Sequence, residues 1–290
     1  MPVEAISCKT FETTVVHPLY PKRFPRSKTQ PVATELMSHS APTSLRATYL
    51  EDGYAQLNAF LDTSAVKELD GKLKDFINTK VPTLSSEQVF YENKIDHITL
   101  KQIQHLELHD NWFHSLFTDS PFRRLAEALL GGECVPMNMQ YFNKSPGANK
   151  PTPPHQDGYY FMITPCEAVT MWLALDEVDD ENGCIRYLPK SHREGLLPHS
   201  RTNTLGFSQG IENYFQKHDS NREIAIHASP GDLLAHHALT VHRADANTSA
   251  TRQRRAIGFI YYSAQAKQDV VAHQAYQTEL KQELTDSDKI

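Results

Sequence analysis

A mainly β fold with flanking helices is predicted for this chain of 290 residues. Three observations carry the prediction. From Cys134 onward the sequence breaks into short β-prone runs separated by turn residues. Ahead of them stand two segments whose apolar residues recur at helical spacing. The length suffices for one sizeable core, burying roughly three quarters of the unfolded surface. Short strands bounded by turns point to a sandwich or a barrel.

Taken in order, residues 1–44 carry Pro18, Pro21, Pro25, Pro31 and Pro42 among polar residues without sustained periodicity, and read as an irregular arm. Asp62 or Thr63 is placed to cap a helix in which Val66, Leu69, Leu73 and Phe76 step by three and four residues, so that face should pack on the sheet. Ser120-Pro121 offers a cap with proline at the first helical position. Leu125, Leu129 and Leu130 follow, and Gly131-Gly132 provides the stop. Strands are predicted over 135–142, 168–175, 184–188, 223–228, 232–237 and 256–262. Asn182-Gly183 suits a type I′ hairpin, whose two central residues both need positive φ. From Asp269 the chain is charged and expected to be helical. The domain reading is an arm at 1–44, a catalytic domain at 45–268 (helices within 62–130, β core 134–263), and a helical tail at 269–290.

The net charge is −6, with acidic and basic residues interspersed. Neither a nucleic-acid footprint nor a polybasic membrane patch is present. No apolar run approaches the ~20 residues of a membrane span, and no signal-peptide core opens the chain. A cytoplasmic protein with a small-molecule substrate is expected; oligomeric state is not readable. Cys8, Cys134, Cys166 and Cys184 form no C-x-x-C pair, which argues for reduced thiols rather than a zinc knuckle or a disulfide framework.

Chemistry concentrates at Pro154-His155-Gln156-Asp157-Gly158. In an extended strand, residues two apart face the same way, so His155 and Asp157 would present an imidazole and a carboxylate together. A third ligand must come from another strand, and His236, His237 and His242 all follow the Gly231-Asp232 turn. Two histidines and one carboxylate on one face leave the opposite positions open, as non-haem Fe(II) oxygenases require for a bidentate co-substrate and dioxygen.

Over residues 49–263 the sequence resembles the phytanoyl-CoA dioxygenase family of Fe(II)/2-oxoglutarate oxygenases. The resemblance rests on His155-Gln-Asp157, Trp172, Glu181-Asn182-Gly183-Cys184 leading to Leu188-Pro189-Lys190-Ser191-His192, Pro230-Gly231-Asp232 before His237, and finally His242, Asn247 and Arg254. It implies a double-stranded β-helix, or jelly-roll, core. It also implies Fe(II) as the metal with 2-oxoglutarate and dioxygen as co-substrates, and His242 as the third ligand. His237 would then be a packing or supporting residue, with His236 on the opposite face. The distal carboxylate of a 2-oxo acid calls for a guanidinium fork. Alternation lets only one of Arg254 and Arg255 face inward, and Arg254 is the choice. Trp172 matches a family tryptophan of the co-substrate pocket, although an alternating strand also accounts for it as a core aromatic. Gln140 and Lys144 lie where the family places polar groups near the 2-oxo acid; a surface lysine is the other reading of Lys144. Asn247 is expected to shape the turn after His242.

Tyr159, Tyr160 and Phe161 are candidates for the substrate opening, and the long connection 197–221 for a lid over it. Arg186 either meets an anionic substrate or forms a structural ion pair. The expected reaction is hydroxylation of a small or medium-sized metabolite with release of succinate and carbon dioxide. Related halogenases carry a small residue in place of Asp157, so halide chemistry is not expected. The alternatives are a non-catalytic metal- or ligand-binding jelly-roll module and an iron oxygenase that does not use 2-oxoglutarate.

Overall fold

In the computed structural model the described residues are 43–287; all of the expected arm but its last two residues lies outside them. Those two begin helix α1 (Thr43–Asp52), which turns through Gly53 into strand β1 (Tyr54–Leu57). The Asp62 carboxylate accepts the Ala65 N–H at 2.8 Å and starts α2 (Thr63–Thr79), satisfying one of the donors that a helix start leaves orphaned. Its buried face is Ala65, Leu69, Leu73 and Phe76, with Val66 at the margin. Next come β2 (Val89–Tyr91), β3 (Leu100–Ile103) and the short helices α3 (Leu106–His109) and α4 (Asn111–Thr118). Of these, α4 is capped by Asp110, whose carboxylate accepts the Trp112 and Phe113 N–H groups, and buries Phe113, Leu116 and Phe117. α5 (Pro121–Leu130) begins at Ser120, whose hydroxyl accepts the Phe122 N–H at 3.2 Å, and stops at Gly131 with φ of 79°.

The β core then follows the predicted order, with β4 (Cys134–Lys144), β5 (Thr152–His155), helix α6 (Asp157–Phe161), β6 (Ile163–Thr164), β7 (Ala168–Ala174) and β8 (Ile185–Tyr187). The connection 197–221 is a hairpin, β9 (His199–Thr204) and β10 (Phe207–Ile211), followed by α7 (Tyr214–Lys217). β11 (Ile224–Ile226), β12 (Leu233–His237), β13 (His242–Ala244), β14 (Arg254–Ser263), β15 (Lys267–Gln268) and the tail helix α8 (Val270–Asp286) complete the chain. The turn at Asn182-Gly183 departs from type I′. Only Gly183 has positive φ, at 90°, because the Asn182 side chain is engaged elsewhere. Its oxygen accepts the Asp179 N–H and its amide donates to the Glu177 and Gln253 carbonyls.

Two antiparallel sheets face each other as a double-stranded β-helix. The larger runs β1-β12-β7-β14-β4-β3-β2 and the smaller β11-β8-β13-β5. Alternation gives each central strand two different faces. Met139 and Tyr141, Val169, Met171 and Leu173, and Ile257, Phe259 and Tyr261 turn toward the helices. There Phe259 stacks on Phe122 with ring centroids 4.0 Å apart, a geometry worth about 0.5–1.5 kcal/mol beyond the area it buries. Trp172, Ala174, Leu234 and Ala256 turn the other way, against Ile185 and Tyr187 of the smaller sheet. The site lies in this inner space. Among the described residues, no helix is long and apolar enough to cross a membrane.

Candidate metal centre

His155 ends β5 and His242 begins β13, and the two are direct cross-strand partners. Each ring is held by its own backbone. His155 Nδ1 lies 2.8 Å from the Pro153 carbonyl, and His242 Nδ1 lies 3.0 Å from that of Thr240. A carbonyl can only accept, so both Nδ1 atoms carry hydrogen and both Nε2 atoms keep a free lone pair. Register at β13 is helped by the Leu188-to-His192 turn, where the Ser191 hydroxyl accepts the Val241 N–H at 2.9 Å.

The triplet is not a continuous strand, as its alternation suggested. Gln156 is extended, but Asp157 opens α6. The single extended residue keeps both side chains on one side, and the helix start redirects the chain afterwards. Gly158 follows, with its N–H 2.8 Å from the Ala238 carbonyl. A Cβ there would stand 2.5 Å from Cys166 Sγ and 3.2 Å from that carbonyl, so a larger residue would displace Asp157. Gln156 is wholly buried. Its amide donates to the Gly195 and Leu239 carbonyls at 2.8 and 2.7 Å, tying two loops to the site.

Asp157 Oδ1 is 3.5 Å from His155 Nε2 and 3.7 Å from His242 Nε2. The donor atoms of all three residues lie within 4.8 Å of one another. Two neutral imidazole lone pairs and one carboxylate fit a divalent transition-metal ion that retains open positions. Burial alone would raise the Asp157 pKa. It is overcome by the histidines gathered around the carboxylate, His242, His155 and His236, which hold it well below its usual range. His242 is driven the other way, well below the ordinary imidazole value, first by burial and then by repulsion from His236 and His155. A second group, Asp180, Cys184 and His227, also gathers ligand-type atoms. Asp180 there is paired with Arg186 and His227 at 2.7 and 2.9 Å, and burial pushes the Cys184 thiol up to about 12. It is an ion-pair cluster at the surface.

The expected orientation of His236 is overturned. His236 is buried, with Nε2 at 3.1 Å from Asp157 Oδ2 and Nδ1 at 2.9 Å from the Tyr187 hydroxyl. Leu234 sets the phase of β12 toward the inner space and His236 follows it. His237, the last residue of the strand, packs outward between Tyr49 and His192 at 6.2 and 5.6 Å. Thr170, which sequence reasoning did not single out, donates to the same Oδ2 at 2.5 Å.

Arg254 and Arg255 divide as alternation requires. Arg255 is bound to Asp176 and Asp70 at 2.7 and 2.6 Å. Arg254 is 5% exposed, its Cζ lies 5.3 Å over the Trp172 ring, and its Nε has no hydrogen-bond partner. Burial without an acid pulls its pKa down to about 10. Lys144, opposite it on β4, is buried and donates to the Lys150 carbonyl at 2.9 Å. Burial, then Arg254 and Lys101, hold its pKa well below the usual value. The surface reading of Lys144 is therefore excluded. Gln140 is buried and accepts from Gln102 at 2.9 Å. Asn247 donates to the Lys144 and Arg252 carbonyls at 2.8 and 2.7 Å and accepts the Ser249 N–H at 3.0 Å, shaping the turn after His242 as expected.

The aromatic run after the triplet splits three ways. Tyr160 is edge-on to His155, with ring centroids 6.0 Å apart, and its hydroxyl donates to the Gln209 carbonyl at 2.9 Å. Tyr159 stacks on His199 at 4.4 Å. Phe161 is removed from the expected opening because its ring packs on Tyr262 at 5.0 Å in a buried cluster. Arg186 is likewise a structural ion pair, held by Asp245 and Asp180 on the outer side of β8. Phe207, at the start of β10, brings its ring to 5.1 Å from His155, so the connection 197–221 packs beside the site. The tail helix braces that hairpin. Tyr276 and Ser208 hydroxyls are 2.5 Å apart, and Arg201 reaches Glu279 and Glu283 at 3.2 Å each.

Two histidines beside the site, His199 buried and His237 partly buried, predict an acid-labile fold. Burial, aided by repulsion from nearby imidazoles, pulls His199 and His237 each down to about 4. In the unfolded chain they titrate near ~6.5, so between these values the unfolded state binds protons that the folded state refuses. The denaturant midpoint is expected to be flat above about pH 6.5 and to fall toward pH 4, losing on the order of a few kcal/mol. A midpoint unchanged across that window would contradict the assignment.

A family model described as phytanoyl-CoA dioxygenase matches residues 49–256. A probable alpha-ketoglutarate-dependent hypophosphite dioxygenase of Stutzerimonas stutzeri is 25% identical over 217 residues, covering 71% of this chain and 73% of that protein. The phytanoyl-CoA dioxygenase domain-containing protein 1 homolog of Caenorhabditis briggsae is 26% identical over 215 residues, covering 72% and 71%. The crystal structure of the epimerase SnoN in complex with Fe3+, alpha ketoglutarate and nogalamycin RO is similar with a TM-score of 0.59 at 25% identity, covering 77% of this chain and 84% of that one.

Proposed function

This chain belongs to the phytanoyl-CoA dioxygenase family, and from that premise we propose that it is an Fe(II)- and 2-oxoglutarate-dependent oxygenase hydroxylating an unactivated C–H bond of a small or medium-sized metabolite. The observation that carries the reading is the His155, Asp157 and His242 donor set, both imidazoles presenting a free Nε2, beside a buried guanidinium that lacks an acid. In this reading those three residues hold the iron. Arg254 holds the distal carboxylate of 2-oxoglutarate, with Trp172 as the wall beneath it. When bound, iron and the 2-oxo acid supply the activation of dioxygen, with the 2-oxo acid decarboxylated to succinate.

The protein's part is binding and exclusion. A buried guanidinium with no ion pair among the described residues is a preorganised anion site, because its burial cost has already been met by the fold. Lys144 stands beside it on β4, and the Gln102–Gln140 pair lines the same face. Tyr160 and Phe207 flank His155 and border the opening, where they shed water from the reacting face. Residues 45–268 form the oxygenase domain in this reading, with α8 as an appended brace.

The test is succinate formation by purified protein with Fe(II), ascorbate, 2-oxoglutarate and a metabolite panel. Metal-dependent succinate, raised by one panel member that emerges one oxygen heavier, is the expected result. A product of unchanged composition would replace hydroxylation by isomerisation at the same centre. No metal-dependent turnover with any panel member would leave a ligand-binding module as the better reading.

A further inference from the structure

We propose that His236, itself fixed by Tyr187, is a positioning residue that commits Asp157 to bind metal through Oδ1 alone. The inference rests on the metal centre proposed above and concerns how the carboxylate is presented. A carboxylate oxygen accepts, so the hydrogen shared by Asp157 Oδ2 and His236 at 3.1 Å is placed on Nε2. With the hydrogen on Nε2, Nδ1 is left to accept, and the Tyr187 hydroxyl lies 2.9 Å from it. Thr170 donates to the same carboxylate oxygen from the neighbouring strand. Oδ2 thus receives two hydrogen bonds, while Oδ1 faces the two ligand imidazoles at 3.5 and 3.7 Å.

Strand register explains why these groups converge. His236 and Thr170 are cross-strand partners on the larger sheet, and Tyr54 stands opposite His236 on its other side. On the smaller sheet Tyr187, His242 and His155 form a matching row. The rows meet where Tyr54 and Tyr187 stack at 4.5 Å with their planes 14° apart. The Tyr187 hydroxyl thereby bridges the two sheets to His236. A carboxylate free to rotate could bring both oxygens to a metal and consume a position that co-substrate or dioxygen needs. With Oδ2 occupied, one oxygen remains, and its direction is set by both sheets.

Co(II) binding to the metal-free protein, followed by calorimetry and by the visible Co(II) spectrum, tests this without turnover. Loss of a partner behind a metal ligand typically costs about 10–100-fold in affinity, and that weakening, with an altered spectrum, is expected for His236→Phe. His236→Gln, whose amide can donate to Oδ2, should recover most of the affinity. Wild-type affinity and spectrum in His236→Phe would overturn the proposal, as would failure of glutamine to restore them. Should His236→Phe not fold, Tyr187→Phe keeps the ring stack and removes only the hydroxyl. Weakened binding there supports the proposal and unchanged binding refutes it. The Asp157→Ala control separates the two levels: if it binds Co(II) as well as the wild type does, the metal centre itself fails and this inference falls with it.

Discussion

Asp157→Ala is expected to abolish metal-dependent succinate formation while leaving the chain folded. Asp157 supplies the one negative charge among the three donors, and the groups around it are arranged to keep it ionised. Removing it leaves two neutral imidazoles to hold a divalent ion. A bound metal contributes several kcal/mol of stabilisation to such a reaction, so turnover should fall by about 10³-fold or more. Asp157→Asn makes the sharper comparison, because it keeps the shape and the acceptor for Thr170 but loses the charge. Both variants should give succinate at the level of the metal-free control. Activity within tenfold of wild type in either would remove Asp157 from the ligand set.

Arg254→Met is expected to impair co-substrate binding and to stabilise the protein that lacks co-substrate. The two effects share a cause. Burial pulls the Arg254 pKa down to about 10, so the fold bears a desolvation cost that no ion pair among the described residues offsets. The contact with Trp172 at 5.3 Å returns part of that cost, on the order of 1–2 kcal/mol for a desolvated pair. A methionine of similar reach should therefore raise the melting temperature of the ligand-free protein. Truncating a buried charge partner costs about 2–5 kcal/mol, or roughly 30-fold to several-thousand-fold in the 2-oxoglutarate dissociation constant. Arg255→Met serves as the contrast. It breaks the pairs with Asp176 and Asp70 and should lower the melting temperature with little change in 2-oxoglutarate affinity. If Arg255→Met weakens 2-oxoglutarate binding more than Arg254→Met, the two roles are reversed.

The difference between the two arginines illustrates what a sequence carries. Alternation established that one of them faces inward, and Asp70, far away in the chain, shows in the fold which one is already paired. Likewise the cap at Asp62, the Ser120-Pro121 start and the stop at Gly131 were legible because each is a local device acting within four residues of itself. The turn at Asn182-Gly183 was only half legible, since the pull on the Asn182 side chain comes in part from Gln253, 71 residues away. His236 was misread for a related reason. Adjacent histidines at a strand end give no sign of which one shares the phase of Leu234 until β12 is packed.

By itself, then, the sequence determined the mainly β class and the strand-bearing region, because local propensity and turn residues are written along the chain, and its ordered motif, through the family resemblance, named His155, Asp157 and His242 as the candidate set. Tertiary structure alone decided that His236, Thr170 and Tyr187 converge on Asp157, that Phe207 comes to rest beside His155, and that Tyr276 braces the hairpin. Each of these depends on which strands become neighbours and in what register. That choice is made by burying the two inner faces together, and no window of sequence contains it.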